Sequence, residues 1–98
     1  MTAKALGQHM KRIWKYPLAA ADQQRLSLPL NHRMLSAQLQ GNEICIWVLV
    51  HPGDGTRLDV EIRIYKTGNP VPDDPGTFLA TVQDPQGLVW HVFYAPMV

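Results

Sequence analysis

Period-two alternation of apolar and polar positions runs along most of this chain, and it predicts strands. The cleanest case is Leu58, Val60, Ile62 and Ile64, which alternate with Asp59, Glu61 and Arg63; one face is apolar and the other meets water. From Met34 to Gln40 the same rule places Leu35, Ala37 and Leu39 inward and Ser36, Gln38 and Gln40 outward. Arg12 to Leu18 carries Trp14, Tyr16 and Leu18 on one face, with Ile13 and Lys15 on the other. Arg25-Leu26-Ser27-Leu28-Pro29 alternates too, and Pro29 marks an edge or an ending strand because it has no N–H for a ladder. Phe78 to Gln83 is a short strand. Two segments break the rule: Glu43–His51 and Leu88–Ala95 are apolar at odd and even positions alike, His91 excepted. Such strands are expected in the interior, covered on both faces.

Turn chemistry separates these segments. Gly41-Asn42 predicts a two-residue hairpin into the 43–51 strand. Asp84-Pro85-Gln86-Gly87 has the residues of a type I turn, Asp first, Pro second and Gly fourth. Ala19–Gln24 has helix-forming composition but is too short for a stable helix, so a turn or a single helical turn is expected. His51-Pro52-Gly53-Asp54-Gly55 reads as a loop. Lys66 to Thr77 holds Pro70, Pro72 and Pro75 with Gly68 and Gly76; this long, proline-stiffened loop is a candidate functional loop. The count is seven strands and little helix, which predicts an all-β, mainly antiparallel sandwich or small barrel.

With 98 residues the chain makes one domain, read as residues 10–98 preceded by a flexible N-terminal extension, 1–9. Charged residues make up 17%, below the roughly 25% usual in globular domains. More apolar surface is then left for self-association, and a homodimer is expected. Charge is also unevenly spread: residues 1–33 carry six basic groups against one acid, and residues 34–98 three against seven. Pairing of strands from the two halves would neutralise this locally. No stretch approaches the ~20 apolar residues of a membrane span and no secretory signal is present, so a cytoplasmic protein is expected. Cys45, the single cysteine, cannot form an internal disulfide.

No catalytic set can be assembled, and a non-enzyme is expected. Cys45 lies among Ile44, Ile46 and Trp47, the setting of a packed thiol and not of a reactive one. The histidines His9, His32, His51 and His91 show no metal-binding spacing, so no metal or other cofactor is expected. Gly53-Asp54-Gly55-Thr56 lacks the lysine of a phosphate loop. Lys11-Arg12-Ile13-Trp14-Lys15-Tyr16 interleaves bases with aromatics, but alternation explains Trp14 and Tyr16 by packing, and nucleic-acid binding is disfavoured. The aromatics could instead line a pocket for a planar ligand such as a nucleotide.

Four strings taken together carry a resemblance: Ile13-Trp14-Lys15-Tyr16-Pro17-Leu18, Ile44-Cys45-Ile46-Trp47, Lys66-Thr67-Gly68-Asn69-Pro70 and Val89-Trp90-His91-Val92-Phe93. Their order and spacing resemble a family of short uncharacterised proteins of tailed phages and prophages, catalogued as a domain of unknown function. At Asn69 the chain departs from that family's usual Thr-Gly-His-Pro. The resemblance implies a viral or prophage source and no particular activity. It leaves two expectations for function: an accessory protein that binds a host protein or a small nucleotide signal, as counter-defence proteins do, or a virion structural or assembly protein. The binding face is expected at Trp14, Tyr16, Thr67, Gly68 and Asn69, with His91 as polar anchor.

Overall fold

The computed structural model describes residues 10–53 and 55–97; the extension assigned to residues 1–9 lies outside them. Seven strands follow in order: β1 (Arg12–Pro17), β2 (Gln23–Pro29), β3 (Asn31–Gln40), β4 (Glu43–His51), β5 (Arg57–Lys66), β6 (Thr77–Gln83) and β7 (Val89–Pro96). They form a three-stranded sheet, β1-β4-β3, and a four-stranded sheet, β2-β5-β7-β6. Every pairing is antiparallel. The fold is thus the small β-sandwich expected and not a closed barrel. Among the described residues there is no helix, and so none long and apolar enough to cross a membrane.

Turn residues set this topology. Gly41, with φ +62°, and Asn42 join Gln40 to its partner Glu43, as the two-residue reading required. Pro29 ends the β2 ladder, its carbonyl accepts from His32 Nδ1 at 2.7 Å, and the Leu30 N–H turns to Thr56 O at 2.8 Å. Leu30 alone separates β2 from β3, so the chain switches sheets there. The sheets come closest where β3 lies over β6.

The core between the sheets is built from the alternating positions. Ile46, Val48 and Val50 of β4, Val60 and Ile62 of β5, and Val92 of β7 are at most 1% exposed. Trp14, Tyr16, Trp90 and Tyr94 pack against them from the periphery. One inward assignment fails: Leu35 is 41% exposed, and Met34 is buried instead. A bulge between Met34 and Ser36 inserts one residue and shifts the phase of the strand.

The two apolar strands are not covered as expected. Principal extents of 54 × 31 × 17 Å fit two sheets stacked about 10 Å apart and no third layer. Trp47 and Leu49 on the outer face of β4 are half-buried, and Ile13 beside Leu49 is 60% exposed. Cys45 shares that outer face yet is 2% exposed. Lys15 Nζ donates to Gln40 Oε1 at 2.8 Å. These residues sit on β1 and β3, opposite Trp47 and Glu43, so their contact passes over Cys45 between them. Aliphatic stem, not a sheet, covers the thiol.

Candidate functional site

Most of the residues that form a broad concavity at one end of the sandwich are ordinary strand ends and turn residues. At the Glu43 end of β4 the sheets diverge, and the β1–β2 connection spans the gap. Leu18 N–H donates to Ile44 O in one sheet at 2.9 Å, and Ile64 N–H donates to Asp22 O from the other at 2.8 Å. The Gln24 amide fixes the segment between: Oε1 accepts from Ala19 N–H at 2.9 Å, and Nε2 donates to Ala19 O at 3.0 Å. Ala19, Ala20 and Ala21 present only methyl groups, so the span leaves a groove of about 760 Å³. That lies within the range of ligand-binding clefts.

The groove has an apolar lining and an acidic rim. Leu18, Leu39, Ile44, Ile64 and Trp90 supply apolar surface, and Asp22, Glu43 and Asp84 supply the charges. Among the described residues no lysine, arginine or histidine lines it. The Asp84 turn forms as its residues demand: Gly87 N–H donates to Asp84 O at 3.0 Å. The Asp84 carboxylate accepts from Gln86 N–H and Leu88 N–H, each at 2.9 Å, and from Trp90 Nε1–H at 3.1 Å. The indole bond foremost, with the backbone donors, holds its pKa below the ordinary carboxylate range. Asp84 therefore stays anionic and fixes the Trp90 ring beside it.

The residues singled out in the sequence fall on two separate surfaces. Thr67, Gly68 and Asn69 form a turn closed by Asn69 N–H to Lys66 O at 3.0 Å, with Gly68 at φ +94°. Thr67 and His91 meet on the outer face of the four-stranded sheet: Thr67 Oγ1 is 2.8 Å from His91 Nε2, and Thr81 Oγ1 is 3.0 Å from Nδ1. Both imidazole nitrogens are thus engaged within the protein, clamping the loop to β6 and β7. Beside this clamp Phe93 makes edge contacts with Tyr65 and Phe78, at centroid distances of 5.7 and 5.5 Å. Arg63 bonds Glu61 at 2.8 Å and the Asp74 carbonyl at 3.1 Å, which ties down the far part of the loop.

Trp14 and Tyr16 belong to the other sheet and pack against the core. Among the described residues the buried Tyr16 hydroxyl has no partner in good hydrogen-bond geometry, the Arg57 guanidinium lying close but bonded to Ser27. Burial raises the phenol pKa, partly offset by the Arg57 guanidinium nearby. An orphaned buried hydroxyl costs about 1–3 kcal/mol. Tyr16→Phe is accordingly expected to raise the melting temperature by a few degrees; a lower melting temperature in calorimetry would contradict that placement.

Nothing local in the sequence marked the groove. Its lining comes from six separate chain segments, and the one visible sign was the Asp84 turn, read only as a turn. The charge asymmetry is offset at one place in the four-stranded sheet, where Arg25 lies 3.8 Å from Asp59. It persists in the other, where Lys11 and Arg33 have neither an ion pair nor a hydrogen bond among the described residues. Among the described residues no three histidine, cysteine, aspartate or glutamate side chains are grouped to hold a metal ion. Neither the curated proteins nor the solved structures offer a significant match to the chain. Residues 10–97, which span all seven strands and the groove, match the model of a domain of unknown function (DUF7352), and the protein belongs to that family.

Proposed function

We propose that this protein acts by binding and not by catalysis, and that the groove between its sheets holds a cationic, partly apolar segment of a partner protein. The observation that carries the reading is the pairing of an apolar lining with three rim carboxylates and, among the described residues, no basic one. Such a surface favours a lysine or arginine whose alkyl stem lies on Trp90 and Ile64 and whose charge meets the rim. A nucleotide would meet like charge there, so the groove favours a protein partner. The resemblance of the sequence strings to phage and prophage proteins supports an accessory role in the cytoplasm of an infected host, with a host protein as target. A second reading is a virion assembly protein, favoured by the apolar outer face of Ile13, Leu35, Trp47 and Leu49. That face would also serve a homodimer.

The groove is tested with an acetylated hexapeptide of alternating lysine and leucine, titrated into isotope-labelled protein. The expected result is a saturable shift of the Trp90 indole and of the Ala19–Ala21 amides. Ala20→Trp, at an exposed position facing the groove, should weaken binding about tenfold or more, and a glutamate–leucine peptide should not bind. Equal binding by wild type and Ala20→Trp, or by both peptides, would refute the groove as the site.

A further inference from the structure

A second concavity lies at the opposite end of β4, on the outer face of the same sheet, and its chemistry is the reverse of the groove's. It encloses about 400 Å³ between the starts of β1 and β3 and the end of β4. Lys11 and Arg33 line it, with Asn31, Leu30 and Leu49, and no carboxylate does so among the described residues. Register explains the convergence. Arg33 and Ile13 flank Leu49 from either side, and Lys11 precedes β1 by one residue on the row where Asn31 faces His51. A cation just before β1 and one within β3 are therefore held at one cavity.

Neither cation is used by the fold. Lys11 and Arg33 are exposed and make no ion pair or hydrogen bond among the described residues. Lys15, on the same face, is engaged by Gln40. Two cations lining one cavity with no counter-charge among the described residues oppose each other, and an anion between them relieves that opposition. The arginine fork and the lysine ammonium supply the donors that a phosphate group requires.

From this we infer that the cavity at the His51 end of the three-stranded sheet is an anion site for a phosphate group, held by Lys11 and Arg33. Leu30, 51% exposed, and Leu49 give an uncharged body attached to that phosphate an apolar surface to rest on. The site is separate from the groove: one lies on the outer face of the sheet and the other between the sheets, near opposite ends of β4. It stands whether or not the groove binds a peptide.

The test is titration of the labelled full chain with inorganic phosphate and with 5′-AMP. Saturable shifts are expected at the Asn31, Arg33 and His51 amides. Lys11→Gln and Arg33→Gln should each weaken binding about tenfold, as loss of one charge-assisted contact does. Lys15→Gln, which removes a charge outside the cavity, should leave binding within about twofold, since an exposed charge at that distance acts only through screened attraction. Tighter binding of 5′-AMP identifies a nucleotide as the source of the phosphate, and equal binding identifies free phosphate; either supports the site. No saturable shift with either probe overturns it. So does a loss with Lys15→Gln equal to that with Arg33→Gln, because the attraction would then be diffuse. All three positions are exposed, so unchanged circular dichroism is expected to show that the variants fold.

Discussion

Replacing Ile62 with alanine is expected to lower the unfolding free energy by about 2–5 kcal/mol, the range for deleting a fully buried isoleucine side chain beyond its β-carbon. Ile62 is 0% exposed. It sits in β5, an interior strand of the four-stranded sheet, between Gln24 of β2 and Tyr94 of β7. Its neighbours cannot collapse into the vacancy without breaking one of those ladders. A domain of this size has a total stability of about 5–15 kcal/mol, so the loss is a large share. At roughly 4–8 °C per kcal/mol, the melting temperature should fall by about 10 °C or more. Ile13→Ala is the control: Ile13 is 60% exposed, and its loss should change stability by no more than about 0.5 kcal/mol. Similar shifts for the two variants in thermal unfolding would mean that the interior is not where the sandwich places it.

Gly76→Ala is expected to be nearly as damaging, for a reason that has nothing to do with buried area. Gly76 has φ +98°, and a β-carbon there would lie 2.6 Å from the Tyr94 carbonyl oxygen and 3.1 Å from its carbon. Those atoms are backbone of β7, which pairs with β6 from Thr77↔Tyr94 onward. Relief of the clash must therefore open the β6–β7 ladder or displace the 67–76 loop. The left-handed conformation alone costs a non-glycine residue about 1–2 kcal/mol. With the clash, a loss of about 2–4 kcal/mol is expected. Gly68→Ala separates the two causes, since Gly68 has φ +94° but nothing within 4 Å of the added carbon. Denaturant unfolding should show Gly68→Ala paying only the conformational penalty. If it matches or exceeds Gly76→Ala, the close approach to Tyr94 is not real.

How much of this was legible beforehand depends on the range of the interaction. The alternation from Leu58 to Ile64, the Gly41-Asn42 hairpin, the Asp84 turn and the terminating role of Pro29 are local, and each is visible within a few residues. The Leu35 misassignment is also instructive. Period-two counting assumes an unbroken ladder, and a bulge moves every later side chain by one step without leaving a mark in the residue types. The apolar outer positions of β4 misled in another way. Trp47 and Leu49 looked as though a layer must cover them, yet they are half-buried by their neighbours in the sheet and stand open on one side.

The candidate sites lie further from the sequence than the strands do. Thr67 and His91 were named together and do meet, because Thr67 continues the β5 ladder against β7, its N–H donating to Val89 O. Trp14 and Tyr16 were named with them, but the chain pairs β1 with β4, in the other sheet. Nothing near Trp14 announces that partnership. The groove needs Asp84 next to Trp90, Ile64 next to Asp22, and three alanines across the gap. The anion cavity needs Lys11, just before β1, and Arg33 of β3 brought to the same end of β4.

The sequence alone was enough for the strand count, most inward faces, the turns and an all-β fold, since backbone alternation and turn chemistry act over two to four residues. Tertiary structure alone decided which strands share a sheet, where the sheets part, and which charges are left without a partner. Those outcomes follow from register between distant segments, where each pairing is settled by the burial it allows everywhere else.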